Sequence, residues 1–175
     1  MTDGVMQGAE LEREVEQLHA ASYGWALACC RRDRDDAEEV LQNVYVKILE
    51  GKARFDGRSS LKTWLFAVIR RTAAAHVRRR IVRELLLAKW GRQELEPVMP
   101  NPHRSAETSQ TSATLLDALQ RLARRQREVL ELVFYHDLTI EEAAVALNVS
   151  IGSARVHYQR GKKQLLAQLD GKLAP

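Results

Sequence analysis

Cysteine is nearly absent: Cys29 and Cys30 are the only two, and they are adjacent. Neighbouring cysteines make neither a CxxC metal half-site nor a disulfide framework, so both are expected to be small buried residues. The five histidines, His19, His76, His103, His136 and His157, are scattered without ligand spacing, and no metal site is expected. A glycine-rich phosphate cradle is missing, as is a nucleophile with a base beside it, so neither a cofactor nor catalytic residues are expected and the chain reads as a non-enzyme. No apolar run approaches the ~20 residues of a membrane helix. The opening residues MTDGVMQGAELEREVEQ have no signal-like apolar core, so a cytoplasmic protein without membrane insertion is expected.

What is present is charge, unevenly placed. The formal net charge of the 175 residues is only +4. Residues 1–50 nevertheless carry net −6, residues 51–92 net +10, residues 93–138 net −2 and residues 139–175 net +2. A strongly cationic block of this kind suits a polyanionic partner.

The most legible stretch is LTIEEAAVALNVSIGSARVHYQRGKKQLLAQL, residues 138–169. Thr139 followed by Glu142 has the form of a capping box, starting a short helix with Ala143, Ala144 and Leu147 on its apolar side. Asn148 tolerates the left-handed conformation of a sharp helix end, and Ser150 can cap a second helix. There Ala154, Tyr158, Gly161 and Leu165 recur at helical spacing and are expected to face the first helix. This is the pattern of a helix-turn-helix, whose second helix would present Ser153, Arg155, His157, Gln159, Arg160 and Lys162 to a major groove. Arg can pair with guanine and Gln with adenine, while Ser and Lys can hold phosphates. A solvated face on an ordinary helical hairpin would carry similar charges; the coincidence of caps, small residues and a short turn favours DNA.

Upstream, an acidic amphipathic helix is expected over about residues 9–30, with Leu11, Val15, Leu18, Ser22, Trp25 and Cys29 along one stripe. After the polar break RRDRDD, Ala37, Val40, Leu41, Val44 and Ile48 give a second apolar stripe, with Glu39, Gln42, Asn43 and Val46 on another face. Gly51 and Asp56-Gly57 mark a loop before a helix near Leu61. That helix alternates Leu61, Trp64, Leu65, Val68 and Thr72 with Lys62, Arg70, Arg71, Arg78, Arg79 and Arg80, combining a buried stripe with a basic exterior. Trp64, lying on the stripe, is expected in the core rather than stacked on bases. Residues 84–94 can continue the helix, offering Leu85, Leu86, Leu87 and Trp90 for packing.

Residues 95–112, LEPVMPNPHRSAETSQTS, contain three of the four prolines and read as a linker. Fully extended it reaches roughly 60 Å. Beyond it, Leu115, Leu119, Leu122, Val129, Leu130 and Val133 form the apolar side of two helices joined near residues 123–126. The fold class is therefore all-α, two small helical domains joined by a flexible linker.

The succession DAEEVLQNVYVKI, F-DGRSSLKTWL, a basic helix ending HVRRR, a Pro/Ser linker and LQRLARRQREVLELVFYHDLTIEEAAVALNVSIGSARVHYQRGKKQL resembles the extracytoplasmic-function sigma factors of bacterial RNA polymerase. The resemblance covers roughly residues 15–169. It implies a sigma-2-like domain over 1–94, a linker over 95–112 and a sigma-4-like domain over 113–175. Glu39, Gln42, Asn43 and Val46 would then bind the beta-prime clamp of core polymerase, whose beta flap is a further expected contact. Asp56, Arg58, Ser59, Ser60, Lys62, Arg70 and Arg71 would capture unpaired minus-10 bases, with Arg78, Arg79 and Arg80 near the backbone. Ser153, Arg155, Val156, His157, Gln159, Arg160 and Lys162 would read the minus-35 element. Holding an extruded base would offset unstacking of roughly a few kcal/mol. The resemblance also implies control by an anti-sigma factor. Most departures fall at base-reading positions: the family commonly has Arg-Gly-Asp where Asp56-Gly57-Arg58 stands, Asn at Arg71, Asp or Asn at Ala75, and Ser-Arg at Val156-His157, while Asn43 replaces a usual acidic residue at the polymerase contact.

Two other functions fit parts of the chain. A stand-alone helix-turn-helix regulator would use residues 1–92 for sensing or dimerisation and bind promoter DNA tightly without polymerase. A nucleic-acid-processing enzyme would need clustered carboxylates for metal, yet residues 51–92 contain only Asp56 and Glu84.

Overall fold

Helix capping and apolar spacing together set the architecture. In the computed structural model, which describes residues 8–89 and 110–173, eight helices account for the regular structure and no strand occurs among the described residues. The chain divides into two units, Met1–Asn101 and Pro102–Pro175.

The N-terminal unit contains α1 (Ala9–Gln17), α2 (His19–Cys29), α3 (Arg34–Leu49) and α4 (Leu61–Lys89). The single helix expected over residues 9–30 is in fact two, divided at Leu18 (φ −86°, ψ 2°). The Leu18 N–H is shared between the carbonyls of Glu14 and Val15 at 3.3 and 3.2 Å, a local tightening toward 3₁₀ geometry that the unbroken apolar stripe conceals. At the end of α2 the backbone of Arg31 and Arg32 is left-handed. Asp33 then caps α3 by accepting the N–H of Asp36 at 3.0 Å.

Helices α2, α3 and α4 pack on one another. Their shared core contains Trp25, Val40, Val44, Leu65, Phe66 and Ile69, all fully buried. The Trp25 indole stacks on the Phe66 ring at 5.9 Å between centroids and donates its N–H to the Phe66 carbonyl at 3.0 Å, giving a buried donor its partner. Trp64, expected in the core, is only half-buried and leans on Phe55 at 5.5 Å. Of the two cysteines only Cys30 is buried.

Ser60 opens α4 by accepting the Thr63 N–H at 3.2 Å. This helix outruns its support. Every residue from 81 to 89 is exposed, with Leu85 at 65% and Leu86 at 51%. The expected helical continuation is present as far as Lys89, but the expected packing of Leu85, Leu86 and Leu87 is not; Trp90 lies outside the described residues.

The C-terminal unit contains α5 (Gln110–Gln120), α6 (Arg124–Phe134), α7 (Ile140–Leu147) and α8 (Ile151–Leu173). The linker expected over 95–112 lies outside the described residues up to 109, and its last three positions begin α5. Helix α8 packs on α5, α6 and α7. Leu119, Leu122 and Leu130 form a cluster against which Leu115, Tyr158 and Leu165 pack.

Candidate nucleic-acid interface

The turn between α7 and α8 is built from local hydrogen bonds. Thr139 Oγ1 accepts the Glu142 N–H at 3.1 Å, and Glu142 Oε2 accepts the Thr139 N–H at 2.9 Å, completing the capping box. Asn148 closes α7 with left-handed backbone (φ 51°). Ser150 then caps α8, accepting the Ser153 N–H at 3.1 Å.

With both ends defined, the azimuth of α8 follows from Ala154 and Gly161, which are buried. A Cβ on Gly161 would stand 3.0 Å from Gln126 Cβ and 3.1 Å from Leu130 Cδ1. The lower part of the stripe therefore faces α6, with Tyr158 and Leu165 on the α5–α6 cluster, instead of facing α7 as the spacing suggested. The close approach needed to seat α8 is made on α6. Opposite this stripe Ser153, Arg155, Val156, Gln159, Arg160 and Lys162 are exposed and His157 is half-buried. Ser153 Oγ also accepts a hydrogen bond from Ser150 Oγ at 2.9 Å. Arg155 Nη2 donates to Glu141 Oε1 at 2.8 Å.

The second basic surface surrounds the start and middle of α4. Asp56 and Arg58 form a self-contained turn over Gly57 (φ +73°). The Asp56 carboxylate accepts the Arg58 N–H at 3.3 Å and lies 3.3 Å from its Nε. Ser59 and Ser60 follow, and Ser60 is committed to the cap. Lys62 is half-buried, its Nζ 5.9 Å from the Phe66 ring centroid. Arg70 is half-buried, whereas Arg71, Arg78 and Arg79 are exposed and share a face at i, i+7, i+8 spacing.

Lys47 of α3 joins them, a residue the sequence reading missed. Its Nζ donates to Thr72 Oγ1 at 2.9 Å. Partial burial, then Arg79 and Arg71, hold its ammonium below the usual lysine range. The one available signal was that Lys47 is the single cation in the second half of α3.

Arg80 does not belong with this set. Its guanidinium is bonded to Asp36 and reaches Asp33 at 3.9 Å and Glu84 at 3.6 Å. Asp36, whose side chain is 13% exposed, also meets His76 Nε2 at 2.8 Å. Arg80 is thus a brace between α3 and α4 rather than a cation presented outward. Sequence spacing placed it among its neighbours because its main partner, Asp36, lies 44 residues away.

On α3, Glu39, Gln42 and Val46 are exposed and Asn43 is half-buried. Asn43 donates to the Glu39 carbonyl at 2.9 Å, and Glu39 Oε1 lies 3.3 Å from His76 Nδ1. Val46 and Leu49, 49% and 66% exposed, end the stripe on an apolar note. Leu49 also borders a cleft of about 600 Å³ with Leu11, Ile48, Arg54, Phe55 and Asp56. Among the described residues no group of three or more His, Cys, Asp or Glu side chains could hold a metal ion, and no helix is long and apolar enough to cross a membrane.

A helix-turn-helix in one unit and a basic helix in the other define a protein of the nucleic-acid-binding class. Family models agree on both: Sigma-70 region 2 matches residues 15–81 and Sigma-70 region 4 matches residues 112–165. The chain is 30% identical over 142 residues to the ECF RNA polymerase sigma factor SigX of Bacillus subtilis, covering 79% of this chain and 73% of that protein. It is 26% identical over 146 residues to SigC of Mycobacterium tuberculosis, covering 83% and 77%. In fold it is similar to the sigma factor RpoE of Bartonella quintana, solved with the anti-sigma factor NepR, at a TM-score of 0.71 and 23% identity, over 93% of this chain and 98% of that one. CnrH, solved with the cytosolic domain of CnrY, gives a TM-score of 0.61 at 21% identity over 93% and 88%. The chain belongs to the extracytoplasmic-function sigma factors, and as an alternative sigma factor it directs transcription initiation.

Proposed function

We propose that the two units divide the promoter between them. Residues 113–175 read the minus-35 element through α8, with Arg155, Gln159 and Arg160 at base edges and Ser153, Val156, His157 and Lys162 beside them. Residues 1–94 hold the melted minus-10 strand along Asp56, Arg58, Ser59, Ser60, Lys62, Arg70, Arg71, Arg78 and Arg79, with Lys47 added and Arg80 withdrawn to a bracing role. Residues 95–109 act as the linker, residues 110–112 having joined α5. The α3 stripe of Glu39, Gln42, Asn43 and Val46 docks on the beta-prime clamp, and the beta flap is a second contact.

The observation that carries this reading is the seating of α8: buried Ala154 and Gly161 turn its polar, cationic side outward directly after a capped turn. Cations on the unpaired strand supply sequence-independent affinity, and base-edge contacts supply choice. The protein's share in initiation is binding energy directed at a melted state, with no bond made or broken by its side chains. It works in the cytoplasm, and an anti-sigma factor covering the polymerase-binding surfaces holds it inactive, as the pairing of RpoE with NepR and of CnrH with CnrY suggests by analogy.

Co-elution with core polymerase tests the division. The full chain is expected to co-elute and Val46→Asp to lose co-elution, while Arg155→Ala with Arg160→Ala still co-elutes but no longer prefers its upstream element. Undiminished co-elution of Val46→Asp, or an unchanged upstream preference in the double variant, would contradict the assignment.

A further inference from the structure

Two carboxylates stand in the first turn of α7, and they have different occupations. Glu142 is consumed by the capping box, where its Oε2 takes both the N–H and the hydroxyl of Thr139. Glu141 takes no part in the capping box; besides its own first-turn backbone N–H, its carboxylate takes Arg155 Nη2 on Oε1, 14 residues along the chain and across the turn. Both partners are well exposed, with side chains at 63% for Arg155 and 52% for Glu141, and ion pairs so placed contribute little to stability. Fold stability therefore does not account for the pair.

DNA binding makes the carboxylate stranger still. The first helix of a helix-turn-helix crosses the phosphate backbone, where a negative charge is repelled and lowers affinity for every sequence alike. The dipole at the start of α7 offsets part of that cost, and selectivity is the gain left to offset the rest.

We propose that Glu141 is a positioning residue that makes Arg155 a selective reader of guanine. The inference rests on the reading of α8 given above. A guanidinium has five N–H donors, two of them on Nη2. With one Nη2 hydrogen on Glu141, the other remains free to pair with an Nη1 hydrogen in the bidentate contact to guanine O6 and N7. The carboxylate thus fixes the plane and reach of the fork before DNA arrives, reducing the rotamer freedom lost on binding. It also gives Arg155 an alternative to the nearest phosphate. A free arginine beside DNA satisfies itself on phosphate oxygens regardless of sequence, whereas Arg155 opposite a wrong base stays on Glu141. The hydrogen bond from Arg155 is also the main reason the Glu141 carboxyl sits below the usual carboxylate range, which reflects the same contact.

The test uses the full chain assembled with core polymerase on a promoter library randomised across the upstream element, comparing wild type, Arg155→Ala and Glu141→Gln. Arg155→Ala is expected to flatten the preference at one base pair. Glu141→Gln is expected to weaken the preference at that same position by about fivefold or more. It should also bind unrelated duplex more tightly, with a steeper salt dependence, because a repulsive charge is gone and Arg155 is free to join a phosphate. A merely structural residue would lower specific and non-specific binding together. If Arg155→Ala changes the profile and Glu141→Gln leaves that position untouched, or depresses all positions equally, the proposal is overturned while the reading of α8 stands. If Arg155→Ala changes nothing, both are overturned.

Discussion

Gly161 and Cys30 show how much a single atom decides in each unit. At Gly161 the added Cβ would press on Gln126 Cβ at 3.0 Å and Leu130 Cδ1 at 3.1 Å; the Gln126 Cβ is fixed to its backbone, and the Leu130 methyl is confined in the buried cluster. Alanine's better helix propensity, about 1 kcal/mol, is set against this crowding, but a branched side chain has no such offset. Gly161→Val is expected to cost the C-terminal unit about 1–3 kcal/mol by overpacking, measured by chemical denaturation; unchanged stability would mean α8 is not seated on α6. At Cys30, burial first and then the Asp36 and Asp33 carboxylates push the thiol from its ordinary 9.0 up to about 12. The folded state holds the neutral thiol more firmly than the unfolded chain does, so this contribution to stability is complete below about pH 9 and is lost as pH rises toward 12. The margin by which wild type outlasts Cys30→Ala in thermal unfolding should shrink between those values, and a constant margin would contradict it. Which tryptophan fills the core was not legible at this scale. Both Trp25 and Trp64 lie on apolar stripes, yet only Trp25 is fully buried, with the Phe66 carbonyl taking its indole N–H.

Caps announced by the residue types beside them were legible, and contacts with distant partners were not. The helix-turn-helix could be placed because Thr139–Glu142, Asn148 and Ser150 act within a few residues of where they stand. The division at Leu18 has no glycine or proline to announce it. Arg80, Lys47 and the facing of Gly161 depend on residues 44, 25 and 31–35 positions away, which periodicity along one helix does not contain. The brace across α3 and α4 yields a direct comparison. Arg80→Ala leaves the mostly buried Asp36 carboxylate short of a partner and is expected to destabilise the N-terminal unit by about 1–3 kcal/mol. Arg78→Ala, on the exposed side, should leave unfolding unchanged and instead reduce promoter opening by the holoenzyme; equal melting of the two variants would remove Arg80's distinction. The projecting end of α4 behaves in the opposite way. Leu85→Lys combined with Leu86→Lys should shift stability by no more than about 0.5 kcal/mol, as surface changes do, and a larger loss on denaturation would show that the ridge is packed.

For the whole molecule, a modest net charge of +4 conceals opposed blocks of −6 and +10, and the cationic block suits a polyanionic partner. Exposed cations sit in both units, and the exposed stripe of α3 mixes polar and apolar residues. On the proposed division of the promoter, full recognition is expected only when both units are mounted on the enzyme. Transcription by core polymerase from a library randomised at both promoter elements tests this most directly. Added full-length chain is predicted to yield RNA starting at a fixed distance from one pair of elements, with Arg155→Ala changing only the upstream preference and Arg71→Ala with Arg79→Ala only the downstream one. The account would be contradicted if the chain produced no start-site-specific RNA with core polymerase, or if it bound duplex promoter as tightly alone as in the holoenzyme.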